Sequence, residues 1–220
     1  MSLKLSSAIG LIQTAFQLAW LPYLYKILNQ DGHKQIIINV FKQSVYAIFL
    51  IVFLLSVFAK EIVALVSNSS YMNASTILGF LCLYNGLYII KDTVEIGVKV
   101  TGKSIYVTYV FFMAVAVNFL LLFVLPHFWG LIGIALSSLI SNIVLIYLTL
   151  FFSNRLYKID FPVRTFTLLL VLIISLIFVS VSIDVSFVIK ILISLSVIIL
   201  WGYSNKNSLS KLHMSIISNK

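Results

Sequence analysis

Apolar positions along this chain come in long, nearly unbroken runs separated by short polar segments. Seven runs stand out, at about 5–25, 43–60, 75–92, 105–125, 130–152, 164–183 and 186–203. Each holds about 18 residues or more, roughly what an α-helix needs to cross a hydrocarbon core about 30 Å thick. None shows the short alternating segments of a membrane β-barrel. The pattern predicts an all-α, polytopic membrane helix bundle with about seven transmembrane helices.

Composition points the same way. The 220 residues are 61% hydrophobic and 10% charged, with a mean hydropathy of +1.12. A soluble domain of this size cannot hide so much apolar surface. The single cysteine, Cys82, excludes an intrachain disulfide or a thiolate metal site and reads as a small buried hydrophobe. A net charge of +9 would suggest nucleic acid in a soluble protein, but here its placement follows topology.

Lys26, Lys34 and Lys42 follow the first run; Lys91, Lys99 and Lys103 follow the third; Arg155, Lys158 and Arg164 follow the fifth. Lys206, Lys211 and Lys220 lie in the tail, and only Lys4, Lys60 and Lys190 fall on the alternate side. The positive-inside rule makes the richer side cytoplasmic, with the C-terminus inside and the N-terminus outside. No secretory leader pattern precedes the first run. An outside N-terminus with so short a tail creates the expectation that a preceding helix is missing. The loops 67–75 and 126–130 are nearly uncharged, as an external side should be. Asn68-Ser69-Ser70 and Asn73-Ala74-Ser75 match a glycan-acceptor pattern, but this pattern is common by chance and loop chemistry is the simpler reading.

Polar groups inside apolar runs are costly unless paired or facing water, so they are the functional candidates. Gln13, Gln17 and Trp20 share one helical face. They suit either a hydrated, sugar-compatible lining or interhelical hydrogen bonds with an interfacial indole. Pro22, with Tyr23 beside it, marks a hinge or a helix end. Asn85 and Asn118 either meet substrate or join helices. Asn142, beside the small residues Gly133, Ser137 and Ser141, reads as a helix staple. The segment 91–103 is expected to extend the third span into the cytoplasm as an exposed helix, with Lys91/Glu95 and Glu95/Lys99 spaced i,i+4. Lys91, Lys99 and Lys103 are then candidates for contact with lipid headgroups or a pyrophosphate. Every carboxylate falls at a run's end or in a loop. The three histidines are scattered, with no nucleophile elbow, phosphate loop or metal-ligand cluster. No catalytic residue, metal or cofactor is expected.

Four stretches together carry a resemblance: FQLAWLPYLY (16–25), FAKEIVALVSNSSYMNAS (58–75), GVKVTGKSIYVTYV (97–110) and VNFLLLFVLPHFWGLIGIALSSLISN (117–142). Their order is similar to that in the polysaccharide flippases, the O-antigen and capsule repeat-unit exporters of the multidrug/oligosaccharidyl-lipid/polysaccharide transporter superfamily. Asn118, Pro126, Gly130 and Gly133-Ile134-Ala135 resemble that family's helix-turn-helix. Gly102-Lys103 resembles its cytoplasmic turn, and Pro22-Tyr23 its aromatic-proline segment.

The resemblance implies a two-lobed transporter of 12 to 14 helices. Residues 1–155 would then be five helices of a partial, MATE-like C-terminal lobe, 156–203 two additional transmembrane helices, and 204–220 a cytoplasmic tail. The implied function is translocation of lipid-linked oligosaccharide across the bacterial inner membrane for surface polysaccharide. The implied partners are the bilayer, that lipid and a missing or separately encoded N-terminal lobe, without nucleic acid. A truncated lobe is the expectation. The alternatives are a multidrug or cation antiporter half, and a membrane enzyme of polysaccharide assembly.

Overall fold

The computed structural model describes residues 2–66, 75–182, 186–199 and 202. The two glycan-type asparagines and the tail cations of the sequence reading lie outside them. Every described element is a helix, and no strand occurs among the described residues. In order they are α1 (Ser2–Ile27), α2 (His33–Val57), α3 (Ala59–Val66), α4 (Ser75–Val94), α5 (Ile96–Thr101), α6 (Ile105–Leu156) and α7 (Val163–Ser182), then α8 (Phe187–Ile199). The chain divides into two compact units, Met1–Val181 and Ser182–Lys220. The second contributes the short apolar α8. Four helices, α2, α4, α6 and α7, are long and apolar enough to cross a membrane.

The first unit is built around α4, which packs on α1, α2, α3 and α6. Its small residues admit those neighbours. A Cβ at Gly79 would collide with Ser56 Oγ of α2, and one at Gly86 with Ile48. Without a hydrophobic drive between helices in lipid, such close backbone approach is a main source of association. α1 packs on α4 and buries Ile9, Trp20, Leu24 and Ile27, all on one 3.6-residue stripe. α2 buries Ile37, Phe41, Val45, Ile48, Val52 and Ser56 at the same spacing. α7 joins this unit: Phe166 packs on Phe41 and Phe49 of α2 and on Tyr147 of α6, and Tyr147 Oη and Thr167 Oγ1 share a 2.6 Å hydrogen bond.

A straight helix of 52 residues would be roughly 78 Å long, and α6 is not straight. At Gly130 the backbone takes φ 51°, ψ −126°, a conformation open essentially to glycine alone. The Tyr106 and Phe152 rings lie 5.3 Å apart, and Val110 and Ala114 pack against Leu145. α6 is therefore a hairpin of two arms, 105–129 and 131–156, which coincide in position with the two apolar runs around Pro126 and Gly130. The reversal is tight enough that a Cβ at Gly133 would strike the Leu125 carbonyl.

Three sequence expectations need correction. α2 begins at His33, ten residues before the apolar run, because Ile37 and Phe41 continue its buried stripe through a polar segment. Pro22 and Tyr23 do not end α1, which runs on to Ile27. Pro22 lies on an exposed face, so its ring meets no packed neighbour and its missing N–H leaves only the Leu18 carbonyl without a helical donor. The segment 91–98 is not an exposed extension: from Lys91 to Val98 every residue is buried.

Candidate functional site

The connections that carry the cations meet at one end of the first unit. His33 Nε2 and Tyr157 Oη share a 2.5 Å hydrogen bond, joining the start of α2 to the α6–α7 connection. The Gly97 N–H donates to Ser153 Oγ at 2.8 Å, joining α5 to the second arm of α6. A Cβ at Gly97 would run into the Ser153 carbonyl, so only glycine permits this approach.

Beneath that end, where α4 gives way to α5, lies a buried group of charges. α4 stops at Val94, Glu95 takes φ −74°, ψ 3°, and α5 follows. Lys91, Asp92 and Glu95 are 7%, 2% and 5% exposed. Lys91 Nζ lies 2.8 Å from Glu95 Oε2 and 4.0 Å from Asp92 Oδ1, and Lys99 Nζ lies 3.4 Å from Glu95 Oε2. Lys99 Nζ also donates to the Asp92 carbonyl at 3.3 Å. Lys91 sits over the Phe111 ring of α6, 5.2 Å from its centre. Two cations and two anions balance, which is the condition under which charge tolerates burial.

One side chain from another element reaches into this group. The Gln17 amide on α1 donates to Asp92 Oδ2 at 2.6 Å. A hydrogen bond this short to a carboxyl oxygen is a close one. It ties the second carboxyl oxygen of Asp92 to α1. Chemically, the cluster can hold a fixed, neutral set of charges in the bundle interior. It can also register any shift of α1 against α4 through the Gln17–Asp92 bond.

The remaining sequence candidates scatter. Gln13 is half-buried on the α1 stripe. Trp20 is buried rather than lining an open cavity; Phe16 stacks on it at 6.0 Å and Tyr23 packs at 6.0 Å. Its indole N–H has no hydrogen-bond partner among the described residues. Asn85 Nδ2 donates to Leu81 O of its own helix at 2.9 Å. Asn118 stands half-buried on the first arm of α6, with its Oδ1 buried and without a partner among the described residues. Asn142 is a staple, as its small neighbours suggested: its Nδ2 donates to Tyr84 O of α4 at 2.7 Å. Lys91 and Lys99 are held by Glu95 instead of facing headgroups, while Lys103 is exposed at the α5–α6 turn.

Sequence reasoning passed over Asp92 and Glu95 as sites because both stand at the end of an apolar run. The i,i+4 spacing was visible; the burial was not. Among the described residues, no group of three or more His, Cys, Asp or Glu side chains is placed to hold a metal. Compared with known proteins, the chain matches no family model, no curated protein and no solved structure.

Proposed function

We propose that this chain is a helical lobe of a membrane transporter of the polysaccharide-flippase type, moving lipid-linked oligosaccharide across the bacterial inner membrane. The observation that carries this reading is the buried Lys91–Asp92–Glu95 group, with half-buried Lys99 on Glu95 and Gln17 of α1 on the free oxygen of Asp92. Ionisable groups enclosed among membrane-length helices are expensive and mark pathways or moving parts. In this reading α1, α2, α4 and the two arms of α6 are the five helices of a partial MATE-like lobe, and α7 and α8 belong to two additional spans. The N-terminus lies outside, and the cation-bearing end faces the cytoplasm.

Alternating access needs two lobes rocking about a central site, so the working transporter includes a second lobe. α1 is the element that moves, and Gln17 releases or takes up Asp92 as it does so. Asp92 stays compensated in both states by Lys91 and Lys99.

The test is complementation. A flippase-deficient strain expressing this chain joined to a matching first lobe regains surface polysaccharide. Failure by abundantly expressed, membrane-inserted protein contradicts the proposal. A second reading, cation or drug antiport, draws on the same buried carboxylates, since ion coupling requires them. Drug resistance that collapses with the proton or sodium gradient, without any polysaccharide effect, favours it.

A further inference from the structure

At the cation-rich end, a second set of lysines stands open. A cleft of about 630 Å³ lies between the start of α2 and the α6–α7 connection, lined by Lys34, Gln35, Lys42, Lys158 and Asp160. Among the described residues, no carboxylate is paired with Lys34, Lys42 or Lys158. Three cations against Asp160 leave the cleft positive. Lys34 is held in place over the Tyr157 ring, 4.9 Å from its centre, and that ring is itself fixed by His33.

The cleft does not end in polar surface. Lys42 and Pro162 also border a shallow groove that continues along α2 and α7, lined by Phe41, Val45, Tyr46, Thr165 and Leu169. The order of residues gives its direction. From Lys42 to Tyr46 on α2, and from Pro162 to Leu169 on α7, both helices run from the cationic end into their apolar lengths. Positive charge therefore passes directly into an apolar trough.

That sequence of surfaces matches a molecule with an anionic head and a hydrocarbon tail. We infer that the cleft holds an anionic glycerophospholipid, its headgroup phosphate among Lys34, Lys42 and Lys158 and one acyl chain lying over the adjoining apolar surface of α2 and α7. A free phosphate would leave the groove unused. Basic pockets between membrane helices recognise headgroups by this combination of lysine charge and adjoining apolar wall. The inference does not depend on what the protein transports.

The test uses the full chain in neutral detergent, stripped of lipid. It is titrated with phosphatidylglycerol, phosphatidylcholine, inorganic phosphate or undecaprenyl phosphate, and bound lipid is counted by native mass spectrometry. Phosphatidylglycerol is expected to bind well ahead of phosphatidylcholine. Lys34→Gln, Lys42→Gln and Lys158→Gln should each weaken it roughly fivefold, the size of one lysine's attraction to an anionic surface. Lys26→Gln, an exposed cation outside the cleft, should leave it unchanged, and Leu169→Trp, which fills the groove, should weaken it without altering the salt dependence. Equal binding of the two phospholipids, or undiminished binding by the three lysine variants, overturns the site. Displacement of phosphatidylglycerol by inorganic phosphate, or by undecaprenyl phosphate at lower concentration, overturns the assignment to a phospholipid.

Discussion

Two groups of lysines lie toward the same end of this bundle, and they are treated in opposite ways. Lys91 is buried and Lys99 half-buried, and they share Glu95 within 2.8 and 3.4 Å, with Asp92 completing a neutral set. Lys34, Lys42 and Lys158 line an open cleft with Asp160 as the only acid among its lining residues. The residue type is the same, so the difference lies in the neighbours. Where acids stand one helical turn away, the cations can be enclosed; where they do not, the cations keep their water. The enclosed group is bound to its own fold, and the open group keeps its charge for something outside the chain.

The sharpest way to break the contrast is to remove one member of the enclosed set. Lys91→Met leaves two buried carboxylates facing Lys99 alone, a loss of about 3–5 kcal/mol for a broken buried pair, read as a large fall in the thermal midpoint in detergent. Adding Glu95→Gln restores the charge balance and should recover part of that fall. Next comes Gly97→Leu. Its side chain overlaps the Ser153 backbone and pushes α5, with Lys99, away from α6; overpacking of this kind costs about 1–3 kcal/mol or more.

Gln17→Leu removes the one hydrogen bond shown from α1 to Asp92. It should cost about 1.5–3 kcal/mol, as bonds to charged groups do, while leaving the Lys91–Glu95 pair intact. At the small end, Lys42→Gln and Lys158→Gln should shift stability by no more than about 0.5 kcal/mol, as surface changes do. A large loss from either would mean that the cleft lysines are structural after all.

How much of this was legible depended on whether the signal was local. The hairpin of α6 could be read from its two apolar runs and from Pro126 and Gly130 between them. Which arm lies inside could not be read from hydropathy, since both arms are strongly apolar. The first exposes Phe112, Phe119 and Phe123, whereas the second buries Ser137, Ser141, Asn142, Thr149 and Ser153. The small-residue stripe, not greasiness, was the usable cue, because small residues allow the close approach that holds membrane helices together.

The candidate site was half legible. The i,i+4 spacing of Lys91, Glu95 and Lys99 showed that they would pair, but pairing on a helix says nothing about burial. The bond from Gln17 to Asp92 joins positions 75 residues apart, for which no local pattern exists. The early start of α2 was hidden by Lys34, Gln35 and Asn39, although Ile37, Phe41 and Val45 already carried the helical period. Pro22 misled for a physical reason: proline commonly ends helices, yet on an exposed face its ring has nothing to clash with beyond its own preceding turn.

The central claim is that the buried charge cluster, with Gln17 as its link to α1, is the working interior of a transporter. The measurement that meets it most directly is surface-polysaccharide export by cells carrying the chain joined to its second lobe, with Asp92→Asn compared against Lys42→Gln at equal membrane abundance. The account predicts that Asp92→Asn abolishes export while Lys42→Gln retains it. Export by Asp92→Asn at the level of the unaltered protein would contradict the claim and leave the cluster a structural device.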